Sequence, residues 1–487
     1  MNKALSSYWK GLLLFAIISW RFWHFGPALD LPHDWRQADT AYYIWDFYQN
    51  GIDLLYPAVC WMGSSENLVL EFPLPEAIVA QFQIWFGESM IISRFLFLGF
   101  FLLCSYFFYR ITVLLFDKEI AFWALVVYLS LPLAQFYSRA IHIDFFAQGF
   151  SYAVLYYSLI GINRRSTRAI VLASILACIA GLVKIPYLFF LALPVLYYAY
   201  QRSGFKWLLL RSPIFLLPLA VFAVWQMHVY EVNSNAPHWS YILHYRKFDQ
   251  NSSWYFGVWE QRLSLYHWKK ISLRLLFEAG AIFCLLFFPL SWVRKNSSQQ
   301  QMLWAWMVGL LVYLLLFFNL NAIHNYYQIP FIGPLAILIA IGLRERMTTY
   351  KKSVLYMVVA LIVILNTAFA EWKYYNVPEH LDKIASVVNQ NTSIEEFPIV
   401  VFDKFDCRNP RILGRAKRRG WSLQEEAATA VVVDRLHREE GATHLIVVGN
   451  TQLAAQLVRP YQLQEMGEIR AQSLPASKLS VLIFKLP

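Results

Sequence analysis

The chain reads as a polytopic α-helical membrane protein, with about eleven transmembrane helices and a small C-terminal α/β domain. Three observations predict this class. Hydrophobic residues make up 58% of the chain and charged residues 15%, and the mean hydropathy is +0.42. Soluble domains carry about 25% charged and roughly 45–50% apolar residues, so the excess here needs the bilayer as its solvent. Second, apolar runs recur near residues 11–28, 90–109, 120–136, 145–161, 169–183, 185–200, 212–229, 272–292, 302–318, 329–343 and 353–370. Most approach the roughly 20 residues that span a hydrocarbon core. Third, the pattern changes after Ala370 to mixed charge with short β-branched runs.

The first run lacks a small-residue cleavage site and reads as a retained span. Arg21 and His24 lie inside it and are expected to snorkel toward its outer end. The fifth and sixth runs are separated by Lys184-Ile185-Pro186. Charge distribution sets the orientation. With Met1 inside, the inner loops carry Arg110 and Lys118; Arg164, Arg165 and Arg168; Arg202, Lys206 and Arg211; Arg294 and Lys295; and Arg344, Arg346, Lys351 and Lys352. Short outer loops carry Arg139, Lys184 and little else, as the positive-inside rule requires. The formal charge of +11 is therefore topological and no sign of nucleic-acid binding. The expected location is the cell inner (plasma) membrane, with the C-terminal domain extracytoplasmic.

Two outer segments are longer. Residues 30–89 form a first loop with interfacial helices expected in Ala41–Gln49 and Leu74–Phe86. Residues 231–270 are rich in Trp, Tyr and His and read as an aromatic belt. The transmembrane part is drawn as 1–370 and the accessory domain as 371–487. In the latter, strands are expected at Ile399–Phe402, His444–Val448 and Leu479–Phe484, with helix around Leu423–Glu440; alternating strands and helices imply α/β. It has no GxGxxG, P-loop or GxSxG motif and is expected to carry no chemistry. The five cysteines show no metal-binding spacing. Cys60 and Cys407 read as two unpaired thiols rather than a bridge.

The candidate chemistry begins in His33-Asp34-Trp35-Arg36-Gln37-Ala38-Asp39-Thr40, a charged cluster directly after the first span. Ionisable groups there are costly without a purpose. Asp34 is either a reactive acid or a partner of Arg36, and Asp39 either reactive or the cap of a helix beginning near Thr40. Glu71 follows in the same loop. Arg139, His142 and Asp144, then Lys184, then His324, Asn325, Tyr326 and Tyr327 fall at other outer ends. Each has a structural alternative: Arg139 and Asp144 pair with each other, Lys184 snorkels, and His324 with its tyrosines anchors at the interface.

These residues resemble a known pattern. Asp34-x-Arg36 with Ala38-Asp39 is similar to the first-loop acidic motif of GT-C membrane glycosyltransferases, nearest the protein O-mannosyltransferase and aminoarabinose transferase type. Gly51-Ile52-Asp53 before Pro57, Glu71-x-Pro73-Leu74, the Arg139–Asp144 segment, Gly181-Leu182-x-Lys184-x-Pro186 and His324-x-Tyr326-Tyr327-x-Ile329-Pro330 are similar too. The resemblance covers roughly residues 10–345. It departs where many relatives have an Asp-Glu pair before the arginine and this chain has His33 and Asp34.

The resemblance implies an enzyme that moves a sugar from a polyprenyl-phosphate donor to an extracytoplasmic acceptor with inversion. It implies Asp34 as base with Asp39 in reserve. Arg36, Arg139, Lys184 and His324 are implied for the donor phosphate, and Glu71, His142, Asp144, Tyr326 and Tyr327 for acceptor or substrate. The cofactor is open; a divalent metal shared by Glu71 and His324 is one option. Rival readings are a polymerase or ligase of lipid-linked glycans and a lipid transporter. The transporter is disfavoured because the charges gather at outer ends without an internal repeat.

Overall fold

The computed structural model describes residues 3–64, 67–235, 252–289, 297–347, 351–459, 470–474 and 479–487. They fall into two compact units: residues 1–26, 93–226 and 252–375 form the first, and residues 27–92, 227–251 and 376–487 the second.

The first unit is helical, and over the described residues each apolar run falls largely on helix. The first run becomes Lys3–Ser19 and a 3-10 turn Trp20–His24, and the third becomes Lys118–Ser130 with Pro132–Tyr137. The sixth and seventh share Pro186–Ser234, which breaks at Gly204 (φ 78°). Leu265–Phe277 and Ala281–Leu286 cover most of the eighth. Among the described residues, seven helices are long and apolar enough to cross a membrane. The chain is a mostly helical, multi-pass membrane protein with a small C-terminal sheet. Arg294, Lys295 and residues 236–251 of the aromatic segment lie outside the described residues.

Local chemistry starts these helices where the runs begin. The Asp117 carboxylate accepts from the N–H groups of Glu119 and Ile120, each at 2.9 Å, and opens Lys118–Ser130; this satisfies donors a helix start leaves bare. Ser166 does the same for Thr167–Lys184. The helix Ile329–Met347 is buried on all sides from Ile329 to Leu343, so its near-continuous apolarity reflects protein packing as well as lipid. Small residues allow close approach there, as membrane helix packing favours. A Cβ on Gly342 would lie 1.6 Å from the Phe287 carbonyl oxygen, and one on Gly309 would lie 2.3 Å from that of Phe190.

Arg21 corrects an expectation. It does not snorkel but is 2% exposed. Its guanidinium donates to Ser138 Oγ at 2.7 Å and to the carbonyls of Ile17 and Leu129 at 2.9 and 2.8 Å. Ser138 and the carbonyls of Ile17 and Leu129 supply acceptors within the fold, so the guanidinium is satisfied without reaching outward. His24 instead meets Glu371 at 2.7 Å and stacks on Tyr375.

The second unit is α/β. Its sheet runs β2-β1-β3-β5-β4, where β1 is Pro398–Val401, β2 Trp421–Leu423, β3 His444–Val448, β4 Arg470–Leu474 and β5 Leu479–Lys485. β1 is parallel to β2 and β3, while β5 is antiparallel to β3 and β4. The three expected strands are present, and β2 and β4 are additions. The expected helix at 423–440 is only Ala430–Glu440, because Trp421–Leu423 pairs with Ile399–Val401 as an edge strand. The Thr429 side chain accepts from Val432 N–H and starts the helix there.

The first loop joins this unit. Its first helix begins at Asp34, well before Ala41, and runs to Asn50. It is no interfacial helix: Tyr42, Tyr43 and Trp45 enter one hydrophobic core with Val59–Met62, Ile384, Val388, Ile399 and Leu445. Leu74–Phe86 is helical, as expected, and leaves Ile84, Trp85 and Phe86 exposed. Gly63 (φ 62°) lies against the Trp421 indole, which a Cβ would approach to 2.3 Å. The Gly420 and Gly63 N–H groups bond to Cys60 and Gly420 carbonyls at 2.9 Å each. Cys60 and Cys407 are both free thiols.

The packing glycines give a direct test. Gly342→Ala and Gly309→Ala should each cost about 1–3 kcal/mol or more by overpacking against backbone. Gly99→Ala, with open space around it, should be tolerated. The fraction surviving size exclusion in mild detergent after graded heating measures this.

Candidate functional site

In the second unit the acidic loop is built on the start of helix Asp34–Asn50. His33 sits in the left-handed region (φ 59°, ψ 37°), and its carbonyl accepts from Arg36 and Gln37 N–H at 3.0 and 3.2 Å. Helical spacing then separates two faces. Asp34 and Ala38 share one, and Arg36, Asp39 and Tyr43 lie along another.

The Asp34 face meets the short helix Leu413–Ala416, whose Gly414 lies against the Ala38 carbonyl. Asp34 is fully buried. Arg415 Nη2 donates to its Oδ2 at 2.9 Å, and Arg411 Nε lies 3.1 Å from its Oδ1. Arg415 also donates to Asp382 Oδ1 at 2.9 Å and to the Leu29 carbonyl at 3.3 Å. A buried carboxylate needs such partners, since an isolated charge away from water is prohibitive.

On the other face Trp61 Nε1 donates to Asp39 Oδ1 at 3.0 Å. Arg36 pairs with the Glu71 carboxylate. Burial pushes the Asp39 carboxyl up to about 7; the Arg36 charge and the Trp61 hydrogen bond oppose the rise and Glu71 adds to it. Asp39 is a mid-helix acid and no helix cap, because the helix begins at Asp34, six residues before Thr40.

The first unit holds a second polar cluster. Lys184 Nζ donates to both Asp144 oxygens at 2.9 Å, Tyr187 donates to the same carboxylate, and His142 Nδ1 lies 2.5 Å from Oδ2. Lys184 also lies 4.6 and 4.5 Å from the ring centres of Tyr326 and Tyr327, a cation–π geometry. His324 stacks on Tyr326 at 4.9 Å, and His142 lies 4.5 Å from the same ring. Arg139 donates to the His24 carbonyl at 2.9 Å with its guanidinium 4.6 Å from the Tyr375 ring.

Behind the 324–327 turn is a network that sequence reasoning missed. Glu278, 1% exposed, accepts from Asn325 Nδ2 at 2.6 Å, Lys373 Nζ at 2.5 Å and the Tyr374 hydroxyl. Arg274 donates to the Asn321, Ala322 and Ile323 carbonyls at 3.0–3.2 Å.

The structure thus brings Asp34, Arg36, Asp39 and Glu71 together in one unit. It brings His142, Asp144, Lys184, His324, Tyr326 and Tyr327 together in the other. The partners of Asp34 are Arg411 and Arg415, while Arg36 serves Glu71. The i, i+4 spacing of Arg411 and Arg415 in a basic stretch was the available signal for them. Nothing in the sequence ties that stretch to a loop near residue 34. Glu71 and His324 have protein partners, and among the described residues no group of three or more His, Cys, Asp or Glu could hold a metal ion.

No family model and no curated protein matches the chain; solved structures do. ArnT from Cupriavidus metallidurans bound to undecaprenyl phosphate superposes with a TM-score of 0.67 at 12% identity, covering 98% of both chains. The Archaeoglobus fulgidus oligosaccharyltransferase in the apo form gives 0.57 at 11% identity, over 97% of this chain and 74% of that one. The arabinofuranosyltransferase AftD from Mycobacteria gives 0.55 at 12% identity, over 98% of this chain and 40% of that one. All three are GT-C glycosyltransferases. At these identities the likeness is one of fold: the chain shares the architecture of these three proteins.

The Asp39 environment sets a pH dependence. Its folded-state pKa lies above the unfolded value, so its contribution to stability is complete below about pH 4 and is lost as pH rises through about 7. Asp39→Asn keeps an acceptor for Trp61 and cannot ionise. Its thermal midpoint should therefore fall less than that of the unmodified protein between pH 5 and 8, measured by unfolding in detergent. Equal slopes would mean Asp39 does not titrate there.

Proposed function

We propose that the chain is an integral-membrane glycosyltransferase that moves a sugar from a polyprenyl-phosphate donor to an extracytoplasmic acceptor with inversion. The observation that carries this reading is the fold shared along nearly the whole of both chains with a protein bound to undecaprenyl phosphate. The buried acids of the first loop and the cations near Tyr326 are the chemistry such a reaction needs.

The displacement has two demands. A carboxylate must take the acceptor proton as its oxygen attacks the anomeric carbon. Cations must meet the charge that grows on the departing phosphate, which leaves without needing a proton at neutral pH. Asp34 serves as base, with Asp39 in reserve. Arg139, Lys184 and His324 serve the phosphate, where arginine offers a fixed fork and lysine a point charge. Glu71, held by Arg36, orients the acceptor. Asp144 and Tyr187 keep Lys184 aimed, with Tyr326 and Tyr327 alongside. A lipid-borne donor explains a multi-pass chain, since the polyprenyl tail stays in the bilayer. The described residues offer no ligand set for a metal, and no step uses one.

Mass spectrometry of envelope glycolipids and glycoproteins from a deletion strain should find one sugar missing, restored by the intact gene. Asp34→Asn should lower that product by about 100-fold or more, the scale of a lost general base, with protein still in the membrane. Full product from Asp34→Asn together with loss in Asp39→Asn would transfer the role of base to Asp39. Cysteine-accessibility labelling should find the first loop and the residues after 376 on the outer face; labelling of either from inside would sink the orientation.

A further inference from the structure

Asp34 is held asymmetrically. Its Oδ2 accepts a hydrogen bond from Arg415 at 2.9 Å, and the Arg415 side chain is 4% exposed. That side chain is fixed from three further directions, by Asp382, by the Leu29 carbonyl and by the Arg411 carbonyl at 2.9 Å. The other oxygen is different. Arg411 Nε lies 3.1 Å from Oδ1, yet the two are not aligned as a hydrogen bond, and among the described residues no donor bonds Oδ1. The Arg411 side chain is 30% exposed, and its guanidinium lies 5.4 Å from the Phe405 ring.

A fully buried carboxylate oxygen without a hydrogen bond is costly and rare. Here it coincides with Arg411, the partly exposed member of the two arginines paired with Asp34. We propose that Arg415 is a fixed positioning residue for Asp34, and that Arg411 is a displaceable occupant of the place where the acceptor hydroxyl binds. The inference rests on the reading of Asp34 as base and assigns the C-terminal domain a part in the reaction.

The acceptor hydroxyl replaces Arg411 at Oδ1 and donates to it. As the acceptor oxygen bonds to the anomeric carbon, its proton passes to Oδ1. The bond from that carbon to the phosphate oxygen breaks, and its electron pair leaves with the polyprenyl phosphate. Asp34 then returns its proton to water. Throughout, Arg415 keeps Oδ2 and so fixes the direction of Oδ1. Two arginines four residues apart suit this division, because one lies within the short helix Leu413–Ala416 and the other precedes it. Gly414 between them permits the approach to Ala38: a Cβ there would already lie 3.3 Å from the Ala38 carbonyl oxygen.

The test uses the full-length protein in lipid nanodiscs. Membranes of the deletion strain supply the acceptor and a lipid extract of the parent cells supplies the donor. Product is measured by mass spectrometry as a rate per folded molecule, with the thermal midpoint recorded in parallel. Arg411→Gln should raise the rate about two- to fivefold by freeing Oδ1. Arg415→Gln should lower it at least about tenfold at unchanged half-saturation by the donor extract, as misdirecting a base does. A rate for Arg411→Gln at or below that of the unmodified protein overturns the displacement. A loss under tenfold in Arg415→Gln, or a fall in thermal midpoint with no change in rate per folded molecule, overturns the positioning role. Should Arg415→Gln fail to fold, Asp382→Asn decides: a rate lowered about threefold or more supports the anchor, and a smaller loss overturns it. Asp34→Asn is run alongside, and if it retains full rate then the base assignment itself has failed, whatever the arginines do.

Discussion

A charge taken out of water must be met by another charge, and this constraint organises both units. Asp34 is buried against two arginines, Asp144 against a lysine, a tyrosine and a histidine, and Glu278 against a lysine, a tyrosine and an asparagine. Removing one member of such a set leaves an uncompensated ion, which costs far more than the pair contributes when intact. The polar groups therefore hold one another's geometry, and their positions are specified better than apolar packing alone would specify them. That is the property a transfer reaction needs from the groups that surround it.

Much of the architecture could be read from the chain. Apolar runs located the helices because a span must be apolar for its whole length, whatever its neighbours. Strands β1, β3 and β5 were legible because their β-branched runs are buried. β2 was not, since Trp421–Leu423 is three residues at an edge and continues into a segment with helical spacing. The helix start at Asp34 was missed because its cap is backbone geometry at His33, and no Ser, Thr or Asn there advertises it.

The site was legible in part. Residue types next to spans pointed to Asp34, Asp144, Lys184 and His324, since polar groups there are expensive. Their partners were not legible, because pairing is a property of distance in space. Arg21 shows the same limit from the other side: an arginine in an apolar run looked like a snorkelling residue, and only the fold reveals its acceptors. The C-terminal residues carry no recognisable catalytic motif, and yet they provide Arg411 and Arg415, which pair with Asp34.

The core shared by Tyr42, Tyr43 and Val59–Met62 with Ile384, Ile399 and Leu445 has a consequence for biosynthesis. A ribosome makes the early half of that core first and the late half near the end, with the membrane helices inserted between. Tyr42 and Trp61 must therefore wait, without their final neighbours, while the rest of the chain is translated. Domains assembled from such distant segments are exposed to misassembly during synthesis. A nascent chain cut short before Leu381 would leave Tyr42, Tyr43 and Trp61 without the C-terminal residues of that core.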